Sequence, residues 1–328
     1  MRWIYFLASL TIALLGAEVG KAQAQRGADK PISFKPVKHV IDTHLHVYDT
    51  RREKGVPWPP RNDKVLYKPH LPEEYKRLAK AAGVTGAVIV EASDQLEDNR
   101  WVLDRVKKDD FFLALVGNVN PYCKDFGAQL SKLQRDSRFV GIRARLQGKK
   151  IDYRDPQVLA NFRILAKRGL SLDILMNGQG PEMVQEVDRL ARSIPKLTLV
   201  VNHVLGYNVD GKPPGEKWIT AVKSLAKNPN VYVKISGLYQ RCTIQPATKD
   251  VKHYRSLLNV VWDQFGSDRL IYGSNWPCTK KSGSYASFVK LVDTFISEKG
   301  QEAREKYFWK NAVRAYKLKL PSGSSKKP

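Results

Sequence analysis

Gly86-Ala87-Val88-Ile89-Val90-Glu91 is a short run of small and β-branched residues that ends on a carboxylate. It does not alternate apolar with polar residues, so a strand here is covered on both faces, as in a parallel sheet flanked by helices. Comparable runs recur at residues 40–46, 113–118, 140–146, 171–176, 197–203, 231–236 and 270–274. Helix signals stand between them. Pro72-Glu73-Glu74 opens a helix that stops at Gly83, Pro156 opens one that ends at Gly169, and Pro181-Glu182 opens one that runs to Ile194. Residues 284–299 supply the helix after the last strand, and residues 301–317 add a closing one. Eight strands alternating with helices predict an α/β protein, a single-domain (β/α)8 TIM-like barrel with an extra C-terminal helix. The competing doubly wound sheet would carry a Gly-x-Gly-x-x-Gly turn after its first strand, which is lacking here.

The ends of the 328-residue chain read differently from its middle. Arg2, an apolar stretch over residues 4–15 and the small-x-small site Ala22-Gln23-Ala24 mark residues 1–24 as a signal peptide, so the protein is expected to be exported, to the periplasm or outside the cell. The apolar stretch is shorter than the roughly 20 residues of a membrane span, and no span is expected after cleavage. Residues 25–38 form a polar, basic leader, residues 39–319 the barrel domain, and residues 320–328 a tail of disordered composition.

The net charge is +24, of which residues 1–24 hold only one unit, through Arg2, Lys21 and Glu18. Such a balance favours anionic small-molecule partners. There is no nucleic-acid-binding motif and no aromatic-basic cluster, which sets nucleic acid aside. Lys76, Lys80, Lys107, Lys108 and Lys223 are scattered over the expected helices, the pattern of a solvated surface. Three cysteines, Cys123, Cys242 and Cys278, cannot build a disulfide framework, and the fold must rest on its apolar core. Cys242 and Cys278 follow neighbouring strands, where they either bridge across the loops or remain free thiols.

In such a barrel, chemistry sits at the carboxyl ends of the strands. Those ends carry His44 and His46, Glu91, Asn118 and Asn120, Arg143 and Arg145, Asn202 and His203, Lys234 and Ser236, then Ser274-Asn275-Trp276. Strand alternation puts His44 and His46 on one face with Asp42 in line behind them. Two imidazoles at that spacing hold one divalent metal or polarise one carbonyl. Lys234, between Val233 and Ile235, reads equally as a buried partner of an acid.

Several of these segments together resemble the amidohydrolase-related family, most closely its sugar-lactonase and pyrone-dicarboxylate-lactonase branch. They are the stretch from Ile41-Asp42-Thr43-His44-Leu45-His46 to Asp49, Val140-Gly141-Ile142-Arg143, Val200-Val201-Asn202-His203, Val233-Lys234-Ile235-Ser236-Gly237-Leu238, Tyr272-Gly273-Ser274-Asn275-Trp276-Pro277 and Asn311-Ala312-Val313-Arg314-Ala315-Tyr316. The resemblance implies a barrel hydrolase that opens a lactone with water. It places metal or substrate binding on His44, His46 and His203, and carboxylate or carbonyl binding on Arg143. The family usually has Asp where this chain has Asn275, and related lactonases often have Asp where it has Asn202. An amide is no base at neutral pH and brings no charge to a metal. One zinc-type ion on the three histidines and metal-free polarisation by them therefore both stay open.

The expected reaction is attack of water on a lactone or ester carbonyl of an anionic or sugar-derived substrate. Glu91 is the leading base, followed by Asp94 and Asp42. Trp276, Tyr239 and Tyr48 are placed to stack on a sugar ring. The alternatives are a metal-dependent decarboxylase, or a carbohydrate-binding barrel that has lost catalysis with the eighth-strand carboxylate.

Overall fold

The continuous apolar runs form the barrel they predict. The computed structural model of the protein describes residues 37–146, 150–176 and 180–321. The boundaries at residues 24 and 25, and most of the terminal tail, lie outside those residues. Eight strands pair in chain order and all in parallel: β1 (Ile41–Leu45), β2 (Gly86–Val90), β3 (Phe112–Gly117), β4 (Phe139–Ile142), β5 (Ser171–Ile174), β6 (Leu199–Val201), β7 (Val231–Ile235) and β8 (Leu270–Tyr272). Strand β8 returns to β1 beyond its regular ladder, where the Asn275 amide donates to the His44 carbonyl at 2.7 Å and the His46 amide to the Trp276 carbonyl at 2.8 Å. This closure runs through the catalytic candidates themselves.

Several strands are shorter than the apolar runs. The run 140–146 ends as a strand at Ile142 and the run 197–203 at Val201, because their polar ends turn out of the ladder into the barrel mouth. The strands bury both faces. Ile41, Val88, Val116, Val200 and Ile271 belong to a cluster inside the barrel, while Leu45, Ile89, Leu115, Leu199 and Val233 pack with the helix layer. Burying one such side chain contributes about 1.5–3 kcal/mol.

Ala312, Ala315 and Tyr316 of the closing helix complete the inner cluster. That helix is not continuous. It runs as Gln301–Glu305, a π turn over Lys306–Lys310, and Asn311–Tyr316. Within the wide turn the Tyr307 hydroxyl donates to the Ile235 carbonyl at 3.2 Å, and just past it Asn311 Nδ2 donates to the Ser267 and Leu270 carbonyls at 2.8 Å each. The register is thus set by bonds to strand ends, which the helical periodicity of residues 301–317 did not reveal.

All three cysteines are free thiols, so the Cys242–Cys278 bridge is not formed. Cys242 Sγ instead lies 3.5 Å from His253 Nε2. Among the described residues no helix is long and apolar enough to cross a membrane.

Candidate active site

The pocket is built where β1, β4, β6 and β7 end. His44 lies at its centre, fully buried, with ring centroids 5.1 Å from His46 and 4.4 Å from His203. Its Nε2 faces Arg143 Nη1 at 3.3 Å and its Nδ1 faces Lys234 Nζ at 3.5 Å. His46 Nδ1 donates to the Val90 and Glu91 carbonyls at 3.1 and 3.0 Å, which orients its ring. His203 Nδ1 pairs with Ser236 Oγ at 3.0 Å. The three histidines, two from the end of β1 and one following β6, converge as the sequence predicts.

Arg143 is the second anchor. Its Nε donates to Glu91 Oε1 at 2.6 Å and its Nη2 to the Glu91 carbonyl at 2.8 Å. Both groups are buried, and this fork leaves Nη1 directed at His44. Glu91 Oε2 has no hydrogen-bond partner and sits 3.9 Å from Arg145 Nη1. Arg143 and Arg145 thus face one carboxylate, as their alternation implies, although β4 has already ended. Asn118 holds the Arg145 backbone through bonds of 3.0 and 3.2 Å, so it shapes that segment. Lys234 is the buried partner of an acid, 2.7 Å from Asp173 Oδ2.

The three pocket imidazoles are neutral at pH 7. Burial holds His44 and His203 well below the ordinary range, helped by neighbouring imidazole, lysine and arginine groups. Burial, and then Arg143, pulls His46 down to about 3. Unfolded imidazoles take up a proton near pH 6.5, whereas these refuse it until far lower pH. Between those limits the unfolded state binds more protons, so this stability is fully present above pH 6.5 and declines as pH falls. The slope is about 1.4 kcal/mol per pH unit for each group. Urea unfolding between pH 7 and 5 should show the midpoint falling steadily; a flat midpoint would mean that these rings are solvated in the native state.

Backbone conformation at the strand ends is unusual. His203, Val204 and Leu205 follow β6 with φ of 53°, 45° and 58°, and Asn275 follows β8 with φ of 59°. Asparagine tolerates this left-handed region, but a β-branched valine is costly there, and such strain persists only where its surroundings enforce it. Glycines leave room for the rings. A Cβ on Gly273 would lie 2.7 Å from His44 Cβ and 3.3 Å from its amide nitrogen. Gly273→Ala must therefore displace His44, and a loss of turnover of about 100-fold is expected, in keeping with misplacement of about 1 Å. Initial rates with circular dichroism check this; full activity in a folded variant would show that His44 need not sit where it does.

Four of the sequence expectations are corrected. Asp42 does not stand behind His44. A register irregularity in β1 between Asp42 and Leu45 breaks the alternation, and Asp42 Oδ2 accepts from the Tyr75 and Tyr285 hydroxyls of the helix layer at 2.8 and 3.0 Å. Its two oxygens are occupied, which removes it as a base. Trp276 is fully buried against His70 and Tyr75, not in the mouth. Tyr239 is fully buried against Phe288, with its hydroxyl 3.0 Å from Ser287 Oγ. Tyr48 is buried and donates to the Leu66 carbonyl at 2.9 Å. None of these three rings is open to a sugar.

The aromatic ring at the mouth is Trp58, which the sequence reading missed. It is half-buried, 5.5 Å from the His46 ring, with the Arg145 guanidinium 5.9 Å from its centre. The available signal was the long connection from β1 to the helix Pro72–Ala81, in which Trp58-Pro59-Pro60 stands out. Two further residues were missed. Gln240 Oε1 accepts from Asn275 Nδ2 at 3.3 Å, and Arg241 is close enough to His203 to disfavour its protonation.

This barrel has known counterparts. The amidohydrolase family matches residues 41–318. An L-fucono-1,5-lactonase of Burkholderia ambifaria is 31% identical over 297 residues, covering 86% of this chain and 97% of that protein. A solved amidohydrolase of Burkholderia multivorans with bound zinc superposes with a TM-score of 0.76 at 22% identity, covering 86% of this chain and 100% of that one. With bound HEPES the corresponding TM-score is 0.77, at the same identity and coverage. These two structures bear on the fold. The chain belongs to the amidohydrolase family and is a hydrolase.

The family is typically metal-dependent, but the donor set here does not fit a divalent ion. Both ring nitrogens of His44 face cationic groups, one nitrogen of His46 is directed to carbonyls, and Glu91 is engaged by Arg143. Asn202 and Asn275 hold strand-end positions where a carboxylate would offset a metal's charge, and the unpartnered Glu91 Oε2 already faces Arg145 at 3.9 Å. Among the described residues, no group of three or more His, Cys, Asp or Glu side chains is arranged as a metal site. Of the two readings the sequence left open, a zinc-type ion on His44, His46 and His203 or metal-free polarisation by them, this geometry favours the second: the rings meet in a cation-lined pocket.

Proposed function

We propose that the chain hydrolyses the lactone ring of a sugar-derived acid and that it acts outside the cytoplasm. The observation that carries this reading is the convergence of three neutral imidazoles and Arg143 Nη1 at one barrel mouth. Polar N–H groups fixed in a site with little water stabilise an oxygen that gains charge as water adds to a carbonyl. Water would form a bond to the carbonyl carbon while Glu91 Oε2 takes its proton. Collapse of the tetrahedral species would break the ring C–O bond, and the proton would return to the departing ring oxygen. Asn275 and Gln240 would orient water or a hydroxyl, since neither is a base.

The sugar-derived class is supported by the lactonase name carried by the Burkholderia ambifaria relative and by Trp58, a ring of suitable size beside Arg145. Export is supported by the composition of residues 1–24. No separate observation favours decarboxylation or binding without turnover.

Proton release from a panel of five- and six-membered aldonolactones tests the reaction. Turnover of at least one, lost in folded His44→Ala and His203→Ala variants, is expected. Turnover that survives both substitutions would place the chemistry elsewhere. Amino-terminal sequencing of the protein recovered outside the cytoplasm should begin at Gln25, while a retained Met1 would refute export with cleavage.

A further inference from the structure

Lys234 makes no contact with the mouth except through His44, and its hydrogen bonds define what that ring can do. The side chain is fully buried inside the barrel. Its Nζ lies 2.7 Å from the Thr43 carbonyl, 2.7 Å from Asp173 Oδ2 and 3.5 Å from His44 Nδ1. An ammonium has three N–H donors and no acceptor, and here three acceptor positions surround it. Asp173 also accepts from Asn202 Nδ2 at 2.9 Å and from the Tyr316 hydroxyl at 2.9 Å. Burying a carboxylate that accepts from so many donors calls for a cation beside it. Lys234 is that cation.

If Lys234 donates to His44 Nδ1, the single proton of the neutral ring belongs on Nε2. Nε2 faces Arg143 Nη1 at 3.3 Å, and a guanidinium can only donate. Two N–H donors cannot bond to one another. They can share a third atom, an acceptor held between them in the mouth. Arg143 Nε and Nη2 are turned to Glu91, so Nη1, which faces His44, is the part of the fork directed at such an acceptor.

We infer that Lys234 is a positioning residue that locks His44 as its Nε2–H tautomer, and that His44 Nε2–H and Arg143 Nη1–H together form a two-donor cradle for an anionic oxygen. On the lactone-hydrolysis reading, on which this assignment of the acceptor rests, that oxygen is the carbonyl oxygen as it gains charge. Asp173, Asn202 and Tyr316 then serve the chemistry at two removes: they keep Lys234 charged, and Lys234 keeps His44 a donor. Without Lys234, Arg143 Nη1 would donate to Nε2 and the ring proton would move to Nδ1, closing the cradle on itself.

Long-range proton–nitrogen NMR of the ligand-free protein, labelled with ¹⁵N-histidine, reads the tautomer without any substrate. His44 is assigned by the signal lost in His44→Gln. The expected wild-type spectrum shows a protonated Nε2 and a bare Nδ1, and Lys234→Met should move the proton to Nδ1. With a lactone that the wild type turns over, the same variant should lose about 100-fold in kcat with KM within about threefold, the loss typical of one missing oxyanion donor. A proton on Nδ1 in the wild type would overturn the inference even if no Lys234 variant folds. So would a folded Lys234→Met protein that keeps the Nε2–H signal. Failure of the whole lactone panel would leave the tautomer result intact and would count against the proposed reaction alone.

Discussion

Arg143→Met should cost turnover and stability together, and a second substitution should separate the two. Loss of one preorganised donor to the developing oxyanion typically lowers kcat by about 10²–10³-fold. Glu91 would at the same time be left buried without its 2.6 Å partner, and breaking such a pair costs about 3–5 kcal/mol. In Arg143→Met/Glu91→Gln the uncompensated charge is gone, so much of the stability should return while turnover stays lost. Arg143→Lys should resemble the methionine variant in rate, because one ammonium cannot bond Glu91 Oε1, the Glu91 carbonyl and the mouth in the same fork geometry. Urea midpoints and initial rates across the four proteins decide this. Recovery of turnover in the double variant would contradict both the donor role of Arg143 and the base role given to Glu91.

Asp42→Ala should be the most damaging single change outside the mouth. The carboxylate accepts from the His44 and Ser274 amides at 3.0 and 2.8 Å and from the Tyr75 and Tyr285 hydroxyls at 2.8 and 3.0 Å. Burial pushes its carboxyl up from the usual range, against the pull of these donors. Alanine would leave two amides buried without an acceptor and the two hydroxyls with only each other, 3.4 Å apart, each unmet group costing about 1–3 kcal/mol. The sum is comparable with the whole stability of a typical domain, about 5–15 kcal/mol. The expected outcome is little or no soluble folded protein. Asp42→Asn keeps one oxygen and should fold with a lowered urea midpoint, since the two hydroxyls can turn to accept from its amide. An alanine variant with a wild-type melting curve would contradict the role given to Asp42 in joining β1, β8 and the helix layer.

The barrel was legible because its strands are buried on both faces and therefore stand out as unbroken apolar runs such as 86–91, punctuated by Pro and Gly at helix ends. The polar residues that end those runs were legible for the same reason: His44, Glu91, Arg143 and His203 interrupt apolar stretches where the ladder stops. What could not be read was the direction of individual side chains. Asp42 and His44 share a face only in a regular strand, and the irregularity between Asp42 and Leu45 leaves no mark in composition. Trp276 and Tyr239 lie just beyond strand ends, yet their rings turn into the helix layer, where more apolar surface is buried. Trp58 reaches the mouth from a long loop whose path no periodicity reports. Asn275 was visible as a departure from the family pattern, and its left-handed backbone gives a reason for an amide to be tolerated there.

The central claim is that fixed N–H donors, without a metal ion, stabilise the oxygen that gains charge as the lactone opens. The direct measurement is the initial rate of proton release from the preferred aldonolactone by protein stripped of metal with a chelator, with and without added zinc. The predicted result is a full rate in the stripped protein that zinc does not raise. A rate that disappears on stripping and returns in proportion to bound zinc would contradict the claim.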